Sequence, residues 1–187
     1  MTLTSRRTLE GVVFLALFTA CIPAANWIIQ NVGTTCVPDG PCLIPVAPGL
    51  MAPSAVLVVG LAFVLRDLVQ RRLGLHWAAI AIIVGAGLSA LLAPPALVIA
   101  SGVAFLISAG ADLAVYTPLP RRRMILAVVA SRIVGLSVDS AVFLQLAFGD
   151  LTYLWGQIAG KAWLVLFAFP FIAWLGAREE LICMAPA

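Results

Sequence analysis

Long apolar segments separated by short polar turns are the feature that most restricts the fold of this chain. Six can be traced, at residues 9–29, 51–69, 77–93, 96–116, 124–148 and 153–176. About 20 apolar residues in a helix, at 1.5 Å rise each, cross the hydrocarbon core of a bilayer. The segments lack the period-two alternation of membrane β-barrels. The pattern predicts an all-α integral membrane protein in which residues 1–187 form a single six-helix transmembrane domain.

The composition agrees with this prediction and leaves no room for a separate soluble domain. Hydrophobic residues make up 63% of the chain and charged residues only 10%, with a mean hydropathy of +1.13. Soluble domains carry about one quarter charged residues. Nearly all of the chain outside the six segments is needed for turns and short tails.

Arginine occurs on alternate connections only. It precedes the first segment and follows the second, fourth and sixth, whereas the connections after the first, third and fifth contain no Lys or Arg. The positive-inside rule then places both termini in the cytoplasm and predicts a multi-pass protein of the bacterial inner membrane. The basic run at residues 121–123 is interpreted as a topology signal, so the lipid bilayer is an expected partner and nucleic acid is not.

The cysteines leave two questions open. Cys36 and Cys42 lie in the predicted outward loop, where they form either a disulfide or two free thiols. Asp39 is the carboxylate near them and no histidine accompanies it, so no metal site is predicted. Cys21 ends a stretch that also resembles a lipoprotein signal peptide, although the apolar pattern continues beyond it.

Once the charges near the membrane interfaces are set aside, five charged residues remain inside the apolar segments: Asp67, Asp112, Arg132, Asp139 and Lys161. Each costs about 2.5 to 3.5 kcal/mol near the bilayer centre, so a partner or a wet cavity is expected. Asp139 and Lys161 stand equally far from the outward turn at Asp150, which predicts an ion pair in the outer half. Its role is either solute binding or the fixing of helix register.

Uncharged polar residues extend this outer group. Gln157 shares a helix face with Lys161. Gln145 and Gln157 are nearly symmetric about the turn at Asp150, so the four residues together predict a polar wall in the outer half. Asn26 beside Trp27 is interpreted as an interfacial feature.

A second, inner cluster is predicted nearer the cytoplasm. Asp112 shares a face of the fourth segment with Ser108 and Tyr116, at a depth close to that of Arg66, Asp67 and Arg132. Together the two groups predict a polar column through the bundle. Snorkelling or structural pairing of Asp67 and Asp112 is the alternative.

Four blocks of sequence, in order, resemble a known family. They are "GLAFVLRDLVQRRLG", "SAGADLAVYTPLPRRR", "ASRIVGLSVDSAVFLQLAFG" and "GQIAGKAWLV". They are similar to the putative vitamin uptake transporters, described as queuosine precursor transporters, over roughly residues 60–170. The resemblance implies a fold similar to the substrate-binding subunits of energy-coupling-factor vitamin transporters. It also implies uptake of 7-cyano- or 7-aminomethyl-7-deazaguanine, precursors in a tRNA modification pathway, with no cofactor and no enzymatic activity.

Matching positions imply a set of substrate-binding residues: Arg66, Asp67, Asp112, Tyr116, Asp139, Ser140, Gln157 and Lys161. The chain departs from the family at Arg132, where Asn is expected, so Arg132 is a further candidate on the substrate path. In the resulting hypothesis Asp139 accepts from the donor edge of a guanine-like ring, and Lys161 orients Asp139 and serves the acceptor edge. Phe143, Tyr153 or Trp163 would stack on the ring.

Other functions are weighed against this one. The chain could carry another vitamin-like molecule, or serve as a non-transporting structural subunit whose charges hold the helices together. A membrane enzyme is disfavoured because His76 is the single histidine and neither HExxH nor GxSxG occurs. The chain has no GxxxxGK[ST] loop, so an energising ATPase partner stays open, as does a homo-oligomer.

Overall fold

A computed structural model describes residues 3–38, 40–116 and 124–181 of the chain. Its described part contains six helices, one for each apolar segment. They are α1 (Leu3–Asn31), α2 (Val56–Leu73), α3 (Leu75–Ser89), α4 (Pro95–Tyr116), α5 (Met124–Phe148) and α6 (Leu154–Leu181). The helix α1 is continuous through Cys21, whose side chain lies in the core with Phe18 and Val69. The predicted connection at residues 121–123 lies outside the described residues.

Two helices depart from their predicted bounds. The second segment was predicted from residue 51, but α2 begins at Val56 because residues 50–53 form a strand. The third was predicted to residue 93, but α3 ends at Ser89 and tighter turns follow, with Leu92 N donating to Ser89 O at 2.9 Å. Pro94 lies in the turn that follows, and Pro95 is the first residue of α4, a position at which a helix tolerates proline.

Part of the connection between α1 and α2 forms a small antiparallel sheet, although the sequence predicts only a loop there. Its strands, in the order β1-β2-β3, are β1 (Thr35–Cys36), β2 (Cys42–Ala47) and β3 (Leu50–Pro53). Gly49 turns β2 into β3 with φ 74°, a conformation that favours glycine. Cys36 and Cys42 are paired across β1 and β2 and form a disulfide, the first of the two alternatives for these thiols.

Glycine allows the sheet and α2 to approach α6 closely. A Cβ at Gly156 would collide with the backbone oxygen of Met51 in β3. A Cβ at Gly160 would lie 2.7 Å from a Val56 methyl, and one at Gly60 would lie 2.8 Å from the Cβ of Leu164. The sheet therefore packs directly against the N-terminal part of α6.

The outer turn between α5 and α6 is held by a local carboxylate. Thr152 donates to Asp150 through its backbone N–H at 2.9 Å and through its hydroxyl at 2.6 Å. These bonds stabilise the ionised carboxylate and lower the pKa of the exposed Asp150.

Length and composition single out one helix of the described part as able to cross a membrane, namely residues Arg6–Asn31. Three further apolar stretches are shorter: His76–Ser89, Pro95–Ala111 and Leu154–Ala168. The helix α2 carries four charged residues at positions 66, 67, 71 and 72. Six helices are thus observed, whereas six crossings stay a prediction.

Candidate functional site

A cavity lies among the helices, bordered by residues of all six. Its volume, counted as the space open to the centres of water molecules, is about 90 Å³. One water needs about 10 to 15 Å³ on this measure, so the space accommodates several waters or one small solute. Most of the wall is apolar, and the polar side chains that line it are Asn26, Ser101, Asp139, Gln157 and Lys161.

Lys161 is the centre of a buried polar cluster on this wall. Its Nζ lies 2.6 Å from Asp139 Oδ2, 2.9 Å from Ser140 Oγ and 2.9 Å from Gln157 Oε1. The Lys161 side chain is 1% exposed and that of Asp139 is 8% exposed, so the ion pair is screened from solvent. The predicted pairing of Asp139 with Lys161 is therefore present. We call these four residues the outer polar cluster.

The cluster leaves only some of its atoms available to a solute. An ammonium group has three donors, and Asp139, Ser140 and Gln157 take all three, while Ser140 Oγ itself donates to Leu136 O at 2.8 Å. Lys161 therefore orients its neighbours and does not serve the acceptor edge of a ligand in this arrangement. Within the described residues, Asp139 Oδ1 receives no hydrogen bond and Gln157 Nε2 donates none.

Asn26 on α1 and Ser101 on α4 form a second polar point on the cavity wall. Ser101 Oγ donates to Asn26 Oδ1 at 3.0 Å. Asn26 is 3% exposed, and no group of the described protein accepts from its buried Nδ2. The interfacial interpretation of Asn26 is therefore wrong, although its neighbour Trp27 is 47% exposed, as an interfacial residue would be.

Three phenylalanines, which we call the aromatic floor, line the cavity on the side of the inner charges: Phe18, Phe63 and Phe105. Phe105 lies 6.1 Å from each of the other two rings, centroid to centroid. The guanidinium carbon of Arg66 lies 5.8 Å from the Phe63 centroid and 5.4 Å from that of Phe105. Cation–π attraction holds Arg66 against these rings.

Arg66, Asp67 and Arg132 form the inner charged cluster. Arg66 lies 3.2 Å from Asp67 Oδ1, and Arg132 lies 2.9 Å from Asp67 Oδ2. None of the three lines the cavity. The outer cluster and the part of the inner cluster formed by Arg66, Asp67 and Arg132 are thus present, and the aromatic floor lies between them; the continuous column stays a prediction. The side chains of Asp112 and Tyr116, predicted for the same inner region, lie outside the described residues.

The three residues predicted to stack on a ligand ring differ in whether they line the cavity. Phe143 lines the cavity and makes an edge contact with Phe148 at 5.9 Å between centroids. Trp163 is 45% exposed and stacks on Phe167, and neither Trp163 nor Tyr153 lines the cavity.

Gln145 is exposed, so the polar wall contains Gln157 but not its predicted counterpart. The apolar surroundings and fixed polar atoms of the cavity suit the binding of a flat, partly polar solute.

The described residues show few groups of the kinds that metal or histidine chemistry would use. No group of three or more potential metal ligands occurs within the part of the chain that the structure describes. His76 is exposed on α3 and is not among the cavity residues. The cavity offers hydrogen-bond donors and acceptors around the outer polar cluster.

The fold is thus a set of apolar helices around a sparsely polar cavity. Residues 89–175, slightly less than half of the chain, match the family model described as putative vitamin uptake transporter. The matched region includes α4, α5 and most of α6, and with them the outer polar cluster. The chain is thus similar to a family of transporters, which supports a membrane location and a transport role. No curated protein and no solved structure matches the chain.

Proposed function

We propose that this protein is a multi-pass transporter of the bacterial inner membrane, belongs to the vitamin uptake transporter family, and imports a small purine-like base. The 7-deazaguanine precursors of queuosine, with a cyano or an aminomethyl group at position 7, are the proposed solutes. The proposal rests on the family similarity of residues 89–175 and on the four sequence blocks that resemble queuosine precursor transporters. It includes a fold similar to the substrate-binding subunits of energy-coupling-factor transporters.

The observation that carries the proposal is the half-occupied carboxylate of Asp139. Lys161 holds Oδ2 at 2.6 Å, whereas Oδ1 receives no hydrogen bond from the described protein, and the residue lines the cavity. A carboxylate oxygen on a mostly apolar cavity wall is stabilised by a hydrogen-bond donor, and a ring with adjacent N–H groups supplies such a donor. Gln157 Nε2, beside it, is placed to donate to a neighbouring carbonyl, as on the edge of a guanine-like base.

The charge of the cavity favours an uncharged solute. Among the described residues that line it, Asp139 and Lys161 are the charged ones, and their charges cancel. Bringing a further net charge into a wall that is mostly apolar would cost desolvation energy without a counter-ion. The cyano base is therefore the first solute to test.

A purely structural role explains less of the site. The register of α5 and α6 would account for the bond between Asp139 and Lys161. It does not account for Asn26 Nδ2, which is buried in the cavity wall and has no acceptor within the part of the chain that the structure describes. Polar atoms of this kind lower the stability of a fold and are expected where a ligand binds.

The decisive experiment measures uptake of the cyano base by cells that neither make nor import queuosine precursors, read as queuosine in tRNA. Expression of the wild-type protein should restore queuosine. Asp139→Asn should abolish restoration, because it removes the charge that strengthens the hydrogen bond to the ring and puts a donor where an acceptor is needed. Failure of the wild type, with the protein present in the membrane, would refute the proposed solute.

A double variant separates recognition from folding. Asp139→Asn leaves Lys161 buried without a counter-ion, and breaking a buried pair in this way costs about 3 to 5 kcal/mol. Asp139→Asn combined with Lys161→Met removes both charges and should recover much of the thermal stability in detergent. It should not recover uptake. Uptake by the double variant would show that the carboxylate serves the fold alone.

A further inference from the structure

We infer that Asn26 and Ser101 form a second recognition point, at which the Asn26 amide donates a hydrogen bond to an acceptor on the solute edge remote from Asp139. This inference rests on the proposed function and adds a contact to it. It concerns α1, which lies outside the region matched by the transporter family and outside the four sequence blocks.

Burial and pairing single out the Asn26 amide. Its Oδ1 accepts from Ser101 Oγ at 3.0 Å, and the residue is 3% exposed. Because Ser101 occupies the oxygen, Nδ2 is the end of the amide that is left; no group among the described residues accepts a hydrogen bond from it, and Asn26 borders the cavity. Ser101 therefore acts as a positioning residue that sets which end of the amide is available to a ligand.

The position of Asn26 determines which part of a solute it meets. Asn26 and Ser101 belong to α1 and α4, whereas the outer polar cluster belongs to α5 and α6. No hydrogen bond joins the two groups within the described residues. A ring whose donor edge meets Asp139 Oδ1 and Gln157 would thus present its other edge to Asn26. On a 7-cyano-7-deazaguanine ring that edge carries the nitrile, a hydrogen-bond acceptor.

The test compares two bases and three variants by calorimetric titration of the purified, full-length protein in detergent. The bases are 7-cyano-7-deazaguanine and 7-deazaguanine, which lacks the nitrile. Asn26→Leu keeps the approximate volume of the side chain and removes both polar atoms. Asn31→Leu is the matched control, because Asn31 lies on the same helix, is exposed, and bonds only locally to Trp27 O.

Asn26→Leu should raise the Kd for the cyano base about tenfold, the effect of one neutral hydrogen bond whose acceptor is left unpaired. It should leave the Kd for 7-deazaguanine unchanged, and Asn31→Leu should change neither. Ser101→Ala should weaken binding of the cyano base by less than Asn26→Leu does, because it frees the amide to rotate. Equal losses for the two bases, or no loss for either, would overturn the inference.

A second readout holds even if the solute has been misidentified. Binding of neither base by the wild-type protein would refute the proposed solute, and the unliganded melting temperature would then decide the role of Asn26. If the amide is kept for a ligand, Asn26→Leu should melt at or above the wild-type temperature, because Ser101 Oγ can bond a carbonyl one turn earlier, as Ser140 does. A clear fall in melting temperature would show that Asn26 is structural and would overturn the inference.

Discussion

Arg132 is the residue at which this chain departs from the family it resembles, where Asn is expected. The surroundings of Arg132 predict that Arg132→Asn has little effect on solute affinity. It bonds Asp67 at 2.9 Å, both side chains are about one third exposed, and neither lines the cavity. Arg132→Asn should therefore leave the affinity for the cyano base unchanged. Titration of the purified variant measures this, and a large change would place Arg132 on the solute path.

At the level of single residues, prediction succeeded for the buried charges, because an isolated charge in an apolar segment is unfavourable and requires a partner. Asp139 and Lys161 had to be paired because each would be expensive alone in an apolar segment, and their equal distance from the outer turn indicated the partner. Asn26 gave no such signal, since one uncharged amide near a segment end is common at an interface. Its role depends on Ser101, far away in sequence, which no local pattern relates to it.

Among the elements, α6 and β3 make the contact most sensitive to a single methyl group. Gly156→Ala would drive a Cβ into the Met51 backbone oxygen, and backbone cannot move aside as a flexible side chain can. We expect destabilisation by about 1 to 3 kcal/mol or more, the usual cost of overpacking. Thermal unfolding in detergent measures it.

Gly110 on α4 provides the matched control for that substitution. A Cβ there meets nothing within 4 Å, so Gly110→Ala gains helix propensity of up to about 1 kcal/mol without a clash. It should melt at or above the wild-type temperature. Equal destabilisation by the two alanines would show that glycine flexibility, and not the packing of α6 on β3, explains the effect at Gly156.

Element-level prediction recovered the helices but missed the sheet. The strands contain two, six and four residues, too short for an alternating pattern to stand out, and β2 includes a proline. Residues 51–53 were also apolar enough to be counted in a helix. The sheet depends on pairing between strands, on Gly49 and on the Cys36–Cys42 disulfide, of which only the cysteines were recognised beforehand.

At the scale of the molecule, hydropathy predicted six helices and charge depth predicted two polar clusters. The separation between the clusters could not be predicted, because it arises from Phe18 on α1, Phe63 on α2 and Phe105 on α4, which meet only after folding. These rings give the cavity a floor that lies between it and the inner charged cluster. In the orientation that the charge pattern predicts, a solute bound in the cavity would have to pass the aromatic floor and the inner charged cluster to reach the cytoplasm.

The predicted orientation of the whole bundle can be tested by labelling from outside the cell. Arginines at the turn between α2 and α3 predict that this turn faces the cytoplasm, and the charge pattern places the turn at Asp150 outside. In a background with the native cysteines replaced by serine, Asp150→Cys should react with a membrane-impermeant thiol reagent in intact bacteria. His76→Cys, also exposed, should react only after the cells are permeabilised. Labelling of His76→Cys in intact cells would contradict the orientation, and labelling of both positions there would contradict the crossing of α3, α4 or α5.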